Sequence, residues 1–142
     1  MAIKILETPN FKDIIKTVGA TDKELASVAT YIIIGISKRT QNGYDADNRT
    51  FKGYSADYKQ FRKEKGRTTS KVNLTFNNQM LSSMRTKKVH NGTAIVFDNS
   101  VENAKADFNH NKMRREFFAL DVNQERYIID TIGDFISKSL NK

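Results

Sequence analysis

Leu25, Val28, Ala29, Ile32, Ile33 and Ile36 recur at the three- and four-residue spacing of one helix face, a stripe that has to be buried. Thr21-Asp22-Lys23-Glu24 stands just ahead of it and reads as a capping box. In that motif the threonine hydroxyl accepts from the Glu24 amide while Glu24 reaches back. The pattern predicts a long helix from about Asp22 to about Gln41. Tyr31 and Ile34 lie off the stripe. They read either as a wide core face or as a second apolar strip against a neighbouring subunit.

Around this helix the chain alternates signals. Thr8-Pro9-Asn10 reads as the start of a short helix that buries Phe11, Ile14, Ile15 and Val18 and ends at Gly19. Asn42 to Asn48 is a polar loop. Its Asp45-Ala46-Asp47 matches the opening of a calcium loop, but Arg49 stands where a third oxygen ligand belongs. These side chains are therefore expected to bond their own backbone.

Val72 to Phe76 alternates apolar and polar residues as a half-buried strand does. Asn77 or Asn78 can cap a short helix holding Met80, Leu81 and Met84. Arg85–Val89 and Thr93–Phe97 flank Asn91-Gly92, a strong hairpin signal. In the second strand Ala94, Val96 and Asp98 share one face, and Ile95 and Phe97 the other. Asp98-Asn99-Ser100 breaks the strand and caps a helix of about Val101 to His110.

A basic connector, Asn111 to Arg115, leads to a further short strand-like run, Glu116 to Leu120. Asp121 with Gln124 then caps a last helix whose apolar face holds Ile128, Ile129, Ile132, Phe135, Ile136 and Leu140. The order predicts one α+β domain over residues 1–142: a long N-terminal helix, a small, mainly antiparallel sheet with a hairpin, and a C-terminal helix.

Length and composition agree. A chain of 142 residues suits one domain that needs no covalent staples. With no cysteine, disulfides, thiolate nucleophiles and cysteine-based zinc sites are excluded, which fits a reducing compartment. Met1 to Glu7 lacks the apolar core of a signal peptide, so no secretory route is expected. The longest apolar run, Tyr31 to Ile36, is far below the roughly 18–20 residues a membrane span needs, so no membrane partner is expected.

The net charge of +8 favours anionic partners, nucleic acid or acidic protein surfaces. Much of it falls in an extended loop or arm at about 43–71. There Lys59, Arg62, Lys63, Lys65, Arg67 and Lys71 surround Glu64, and Tyr54, Tyr58 and Phe61 interleave. Ser55 can cap a short helix that turns Tyr58 and Phe61 one way and the cations to water. The segment reads either as a solvated arm or as a docking segment for an acidic surface or a phosphate backbone.

Catalysis finds no foothold. The chain has two histidines, His90 beside the hairpin turn and His110 at a helix end, and no metal-protease, nucleophile-elbow, phosphate-loop or paired-carboxylate motif. No cofactor is called for. Neither a helix-turn-helix nor an RNA-binding aromatic signature is evident.

Gly43-Tyr44-Asp45-Ala46-Asp47-Asn48-Arg49-Thr50-Phe51-Lys52-Gly53-Tyr54-Ser55-Ala56-Asp57-Tyr58, followed by the lysine-rich run, resembles a segment of the phage virion-morphogenesis or tail-completion family. Three further elements follow in the family's order. They are Val72 to Met84 with Leu74-Thr75 and Met80-Leu81-Ser82, a helix with Ala104, Ala106, Asn109 and His110, and the basic-aromatic Arg114, Arg115, Phe117, Phe118 and Leu120. Asn48 stands where the family has glycine and Gly53 where it has proline. The resemblance spans roughly residues 22–136.

It implies a structural virion protein of the head–tail junction, a neck, connector or tail-completion protein without catalytic residues. Its expected partners are copies of itself in a six-fold ring, portal or adaptor proteins on the head side, and tail tube or terminator proteins on the other. Nonspecific contact with DNA is a further expectation. On this reading Tyr54, Tyr58, Phe61, Arg62, Lys63, Lys65 and Arg67 form the docking arm. Arg114, Arg115, Phe117 and Phe118, with Tyr31 and Ile34, meet a subunit or partner, since arginine and aromatic residues carry most interface energy. Phe117 and Phe118 can equally fill the core beneath the hairpin. Within the class, a tail terminator or portal adaptor fits as well. The rival outside it is a nonspecific nucleic-acid-binding protein, and a small basic enzyme comes third.

Overall fold

The computed structural model describes residues 13–16, 21–75, 78–90 and 92–140. The helix stripe sets the architecture. α1 (Asp22–Gln41) carries the expected capping box, with Thr21 Oγ1 accepting from the Glu24 amide at 3.1 Å and Glu24 Oε1 from the Thr21 amide at 3.1 Å. Leu25, Val28, Ala29, Ile32 and Ile36 are buried. Each of the leucine, valine and isoleucine side chains contributes roughly 1.5–3 kcal/mol by leaving water. The helix ends at Gly43, whose φ of 90° no other residue adopts cheaply. The Gly43 amide donates to Thr40 and the Tyr44 amide to Arg39, a Schellman closure.

β1 (Asp13–Lys16), β2 (Met84–Val89) and β3 (Gly92–Phe97) form an antiparallel sheet in the order β1-β3-β2. β2 and β3 are the expected hairpin. Val89 pairs with Gly92, so the connection is His90-Asn91 and Gly92 already belongs to β3, one residue earlier than the sequence suggested. Asn91 lies outside the described residues. α1 packs on β2 and β3, and α5 (Val122–Leu140) packs on α1. Between them come α2 (Ala56–Glu64), the single turn α3 (Gln79–Ser82) and α4 (Ser100–Asp107), which runs into a π-helical turn over Phe108–Lys112. The caps of α2, α4 and α5 fall where the sequence put them, with Ser55 accepting from Tyr58 N, Asn99 from Glu102 N and Asp121 from Gln124 N. At α3, by contrast, Asn78 makes no side-chain cap bond, and Met84, expected in that helix, begins β2.

The mixed helix-and-sheet class, the hairpin and the two terminal helices stand as expected. At 20 and 19 residues α1 and α5 are nearly equal, so the first is not set apart by length. Other expectations are corrected. Residues 13–16, read as helix, are a strand: adjacent β-branched Ile14 and Ile15 suit a pleat, and β3 offers an antiparallel partner. The flanks of that expected helix, 8–12 and 17–20, lie outside the described residues.

Residues 72–75 are no strand. Asn73 Oδ1 accepts from the Thr75 amide and Leu74 adopts φ 52°, so the apolar alternation there belongs to a turn. Phe76 and Asn77 lie outside the described residues. Residues 116–120 are no strand either. Phe117 and Phe118 are both buried, which adjacent strand residues with one face in water cannot be.

Candidate functional site: an aromatic and cationic cleft

The basic segment after α1 folds back on the body. Phe51, Tyr54 and Val72 join the hydrophobic core, and α2 rises from the Ser55 cap between them. Arg62, expected to face water with the other cations, is only 1 % exposed. Its Nε donates to the Thr68 carbonyl at 2.8 Å and its Nη2 to the Thr75 carbonyl at 2.9 Å. One guanidinium thus clasps both ends of the following loop. A charge taken from water is tolerable here because carbonyl dipoles and an aromatic face replace the lost hydration.

That face is Tyr54. Its ring centroid lies 4.8 Å from the Arg62 guanidinium carbon and 5.4 Å from that of Arg115. Tyr58 meets Tyr54 edge-on at 5.0 Å and stacks toward Phe61 at 6.0 Å. Arg115 is 5 % exposed. Its Nη1 donates to Asn109 Oδ1 at 2.9 Å, while its Nε is buried without a partner. The Tyr54 hydroxyl is also buried and makes no well-formed hydrogen bond, although the Asn73 backbone lies beside it. Burial raises the Tyr54 phenol pKa, with Arg62 opposing, and burial lowers that of the Arg115 guanidinium.

These residues line one side of a cleft of about 560 Å³ between α2 and the α4–π turn. Leu74, Thr75, Asn78 and Met80 contribute from the intervening chain, and Lys105, Phe108, Asn109 and Met113 from the opposite wall. Leu74 and Asn78 adopt φ 52° and 61°, and Arg114, next to the cleft in sequence, φ 52°.

The residues singled out by sequence divide sharply. Tyr54, Tyr58, Phe61, Arg62 and Arg115 come together at the cleft. Lys63, Lys65 and Arg67 face water, with Lys65 Nζ 5.9 Å from the Phe61 ring centroid. Arg114 is exposed. Arg115 is corrected from a surface contact to an interior residue, and of the two readings of Phe117 and Phe118 the core one holds for both. The two phenylalanines, 0 % and 3 % exposed, pack with Phe97. On α1, Tyr31 stacks on Tyr127 of α5 at 3.8 Å, and Ile34 is 61 % exposed.

Sequence reading missed Arg39. Its Nη1 reaches Asp121 and Gln124, and its Nη2 the carbonyls of Phe117 and Ala119. A basic residue in the last turn of a helix was the available signal, but its partners lie about eighty residues away. Lys105, Phe108 and Met113 were likewise missed, since only the fold brings α4 opposite α2.

Among the described residues no cluster of histidines and carboxylates could hold a metal ion, and no helix is long and apolar enough to cross a membrane. No family model matches the chain, and no curated protein or solved structure matches it significantly.

Proposed function

We propose that the chain is a structural virion protein of the head–tail junction, joining head-side and tail-side proteins as a ring of identical copies. The observation that supports this is the meeting of the separate motifs behind the phage resemblance. Tyr54 and Tyr58 of the first, Thr75 and Met80 of the second, Asn109 of the third and Arg115 of the fourth line one cleft. Residues so far apart in sequence share a resemblance for a reason if they build one local structure.

The remaining surface suits assembly. Tyr31 and Ile34 on α1, and Lys63, Lys65, Arg67 and Arg114, are exposed. The apolar Tyr31–Ile34 strip suits packing against another copy, and the basic patch suits an acidic surface on a head-side or tail-side partner. Arg115, Phe117 and Phe118 act behind the surface, holding the chain that presents Arg114.

The experiment is a charge reversal at exposed positions only. Lys63→Glu, Lys65→Glu and Arg114→Glu together are expected to leave the fold intact and to yield unjoined heads and tails by electron microscopy. Normal joining by the folded variant would overturn the assignment. A nonspecific nucleic-acid-binding protein would instead bind duplex DNA alone, with an affinity falling steeply between two salt concentrations.

A further inference from the structure

The cleft between α2 and α4 is unlike an ordinary surface groove in three respects. Arg62, Lys105 and Arg115 line it and no carboxylate does; Glu102 stands beside Lys105 and binds its ammonium at 2.9 Å. Tyr58, Phe61 and Phe108 line it while remaining about two-fifths to one-half exposed, at 39 %, 43 % and 47 %. Of its buried polar groups, Arg115 Nε lacks a hydrogen-bond partner, and the Tyr54 hydroxyl makes no well-formed bond, with only the Asn73 backbone beside it.

We propose that this cleft is the docking site for an extended acidic segment of a partner protein. The segment sets an apolar side chain among Tyr58, Phe61 and Phe108 and turns a carboxylate toward Lys105 and Arg115. This deepens the assembly reading and rests on it. The volume of about 560 Å³ lies within the roughly 300–1,000 Å³ of sites that enclose a small ligand or a few side chains. The wall charges select an acidic sequence and the rings select an apolar anchor.

A nucleic-acid strand fits less well. Strand affinity comes from many phosphate contacts. Here Arg62 is committed to two carbonyls, and Arg115 and Lys105, each holding one neighbour already, keep donors enough for a single carboxylate and not for a run of phosphates. An apolar partner without charge would leave the basic lining of Lys105 and Arg115 without a countercharge.

The probe is a fluorescein-labelled, end-blocked short peptide of Asp and Glu around one Phe and one Leu, titrated by anisotropy into the full chain. Three counterparts serve as controls: one with Asn and Gln for the acids, one with Ser for Phe and Leu, and a labelled oligo-dT. The acidic apolar peptide is expected to bind at least about tenfold more tightly than each control, about 1.4 kcal/mol or more. Phe108→Ala and Lys105→Ala, at exposed positions, are each expected to weaken it by a similar factor with unchanged circular dichroism.

Equal binding of the Ser counterpart, tighter binding of oligo-dT, indifference to both substitutions, or no binding at all would each overturn the proposal. The outcomes separate it from the junction assignment. If the Phe108 and Lys105 variants still join heads to tails, the cleft proposal falls and the assignment stands. If particles form and join without the chain, the assignment falls whatever the peptide does.

Discussion

The Arg62 guanidinium carbon lies 4.8 Å from the Tyr54 ring centroid, and both side chains are buried. This pair turns a stretch that looks like a free basic arm into part of the body. Tyr54 sits in the core, and Arg62 carries the loop carbonyls of Thr68 and Thr75 to it. Arg62→Met is expected to cost about 2–4 kcal/mol, because two carbonyls and a ring face lose their partner together. Limited trypsin digestion checks the consequence. Cleavage after Arg67 and Lys71 should be slow in the parent and fast in the variant. Equal rates would contradict the clasp.

Arg39 plays the same part at the other end of the core. Its Nη1 lies 2.9 Å from Asp121 Oδ2, and its Nη2 2.8 Å from the carbonyls of Phe117 and Ala119. It ties the last turn of α1 to the start of α5. Arg39→Ala is expected to lose about 2–4 kcal/mol in urea unfolding, since it strands buried acceptors. Arg39→Lys should recover less than half of that. An ammonium is a point donor and cannot fork to a carboxylate and two carbonyls at once.

These two arginines mark the border of what the sequence makes legible. α1 and the caps of α2, α4 and α5 follow from local signals, in which a side chain and the amide it caps are three residues apart. The hairpin is nearly as local. By contrast, residues 13–16 form a strand because β3, some eighty positions on, pairs with them. Taken alone, Phe11, Ile14, Ile15 and Val18 keep a helical spacing. Arg62 and Arg115 look like surface cations until the fold supplies Thr68, Thr75 and Asn109 as acceptors. At the cleft, the α2 wall was legible as interleaved aromatics and cations, and the α4 wall was not.

Tyr54→Phe isolates the buried hydroxyl. At neutral pH the change should be neutral or stabilising by up to about 1 kcal/mol, since it removes a polar group with no well-formed partner. Burial raises the Tyr54 pKa above its ordinary value, with Arg62 opposing. The folded phenol therefore keeps its proton where the unfolded one has lost it, and stability falls as pH rises above about 10. Lys88, raised by its hydrogen bond to Asp22, acts in the same direction from a fully solvated position. Urea midpoints at pH about 8 and about 10.5 should drop less for Tyr54→Phe than for the parent. An equal drop would place the loss elsewhere.

Gly35 and Gln124 make a pair whose sign can be inverted. A Cβ at Gly35 would stand 2.6 Å from Gln124 Nε2. Gln124 is buried, closes the α5 capping box and donates to the Ile32 carbonyl at 3.2 Å. Gly35→Ala should therefore destabilise despite the better helix propensity of alanine. In a Gln124→Ala background the same substitution should stabilise by about 1 kcal/mol. A double-mutant cycle by chemical denaturation reads the change of sign, and two destabilising values would refute the close approach.

The assignment as a junction component is tested most directly by assembling particles with the chain withheld and then restored. Without it, electron microscopy should show filled heads and separate tails. Adding the purified protein should join them and leave it in the finished particle, detectable by mass spectrometry. Joined particles in its absence, or finished particles that do not contain it, would contradict the account.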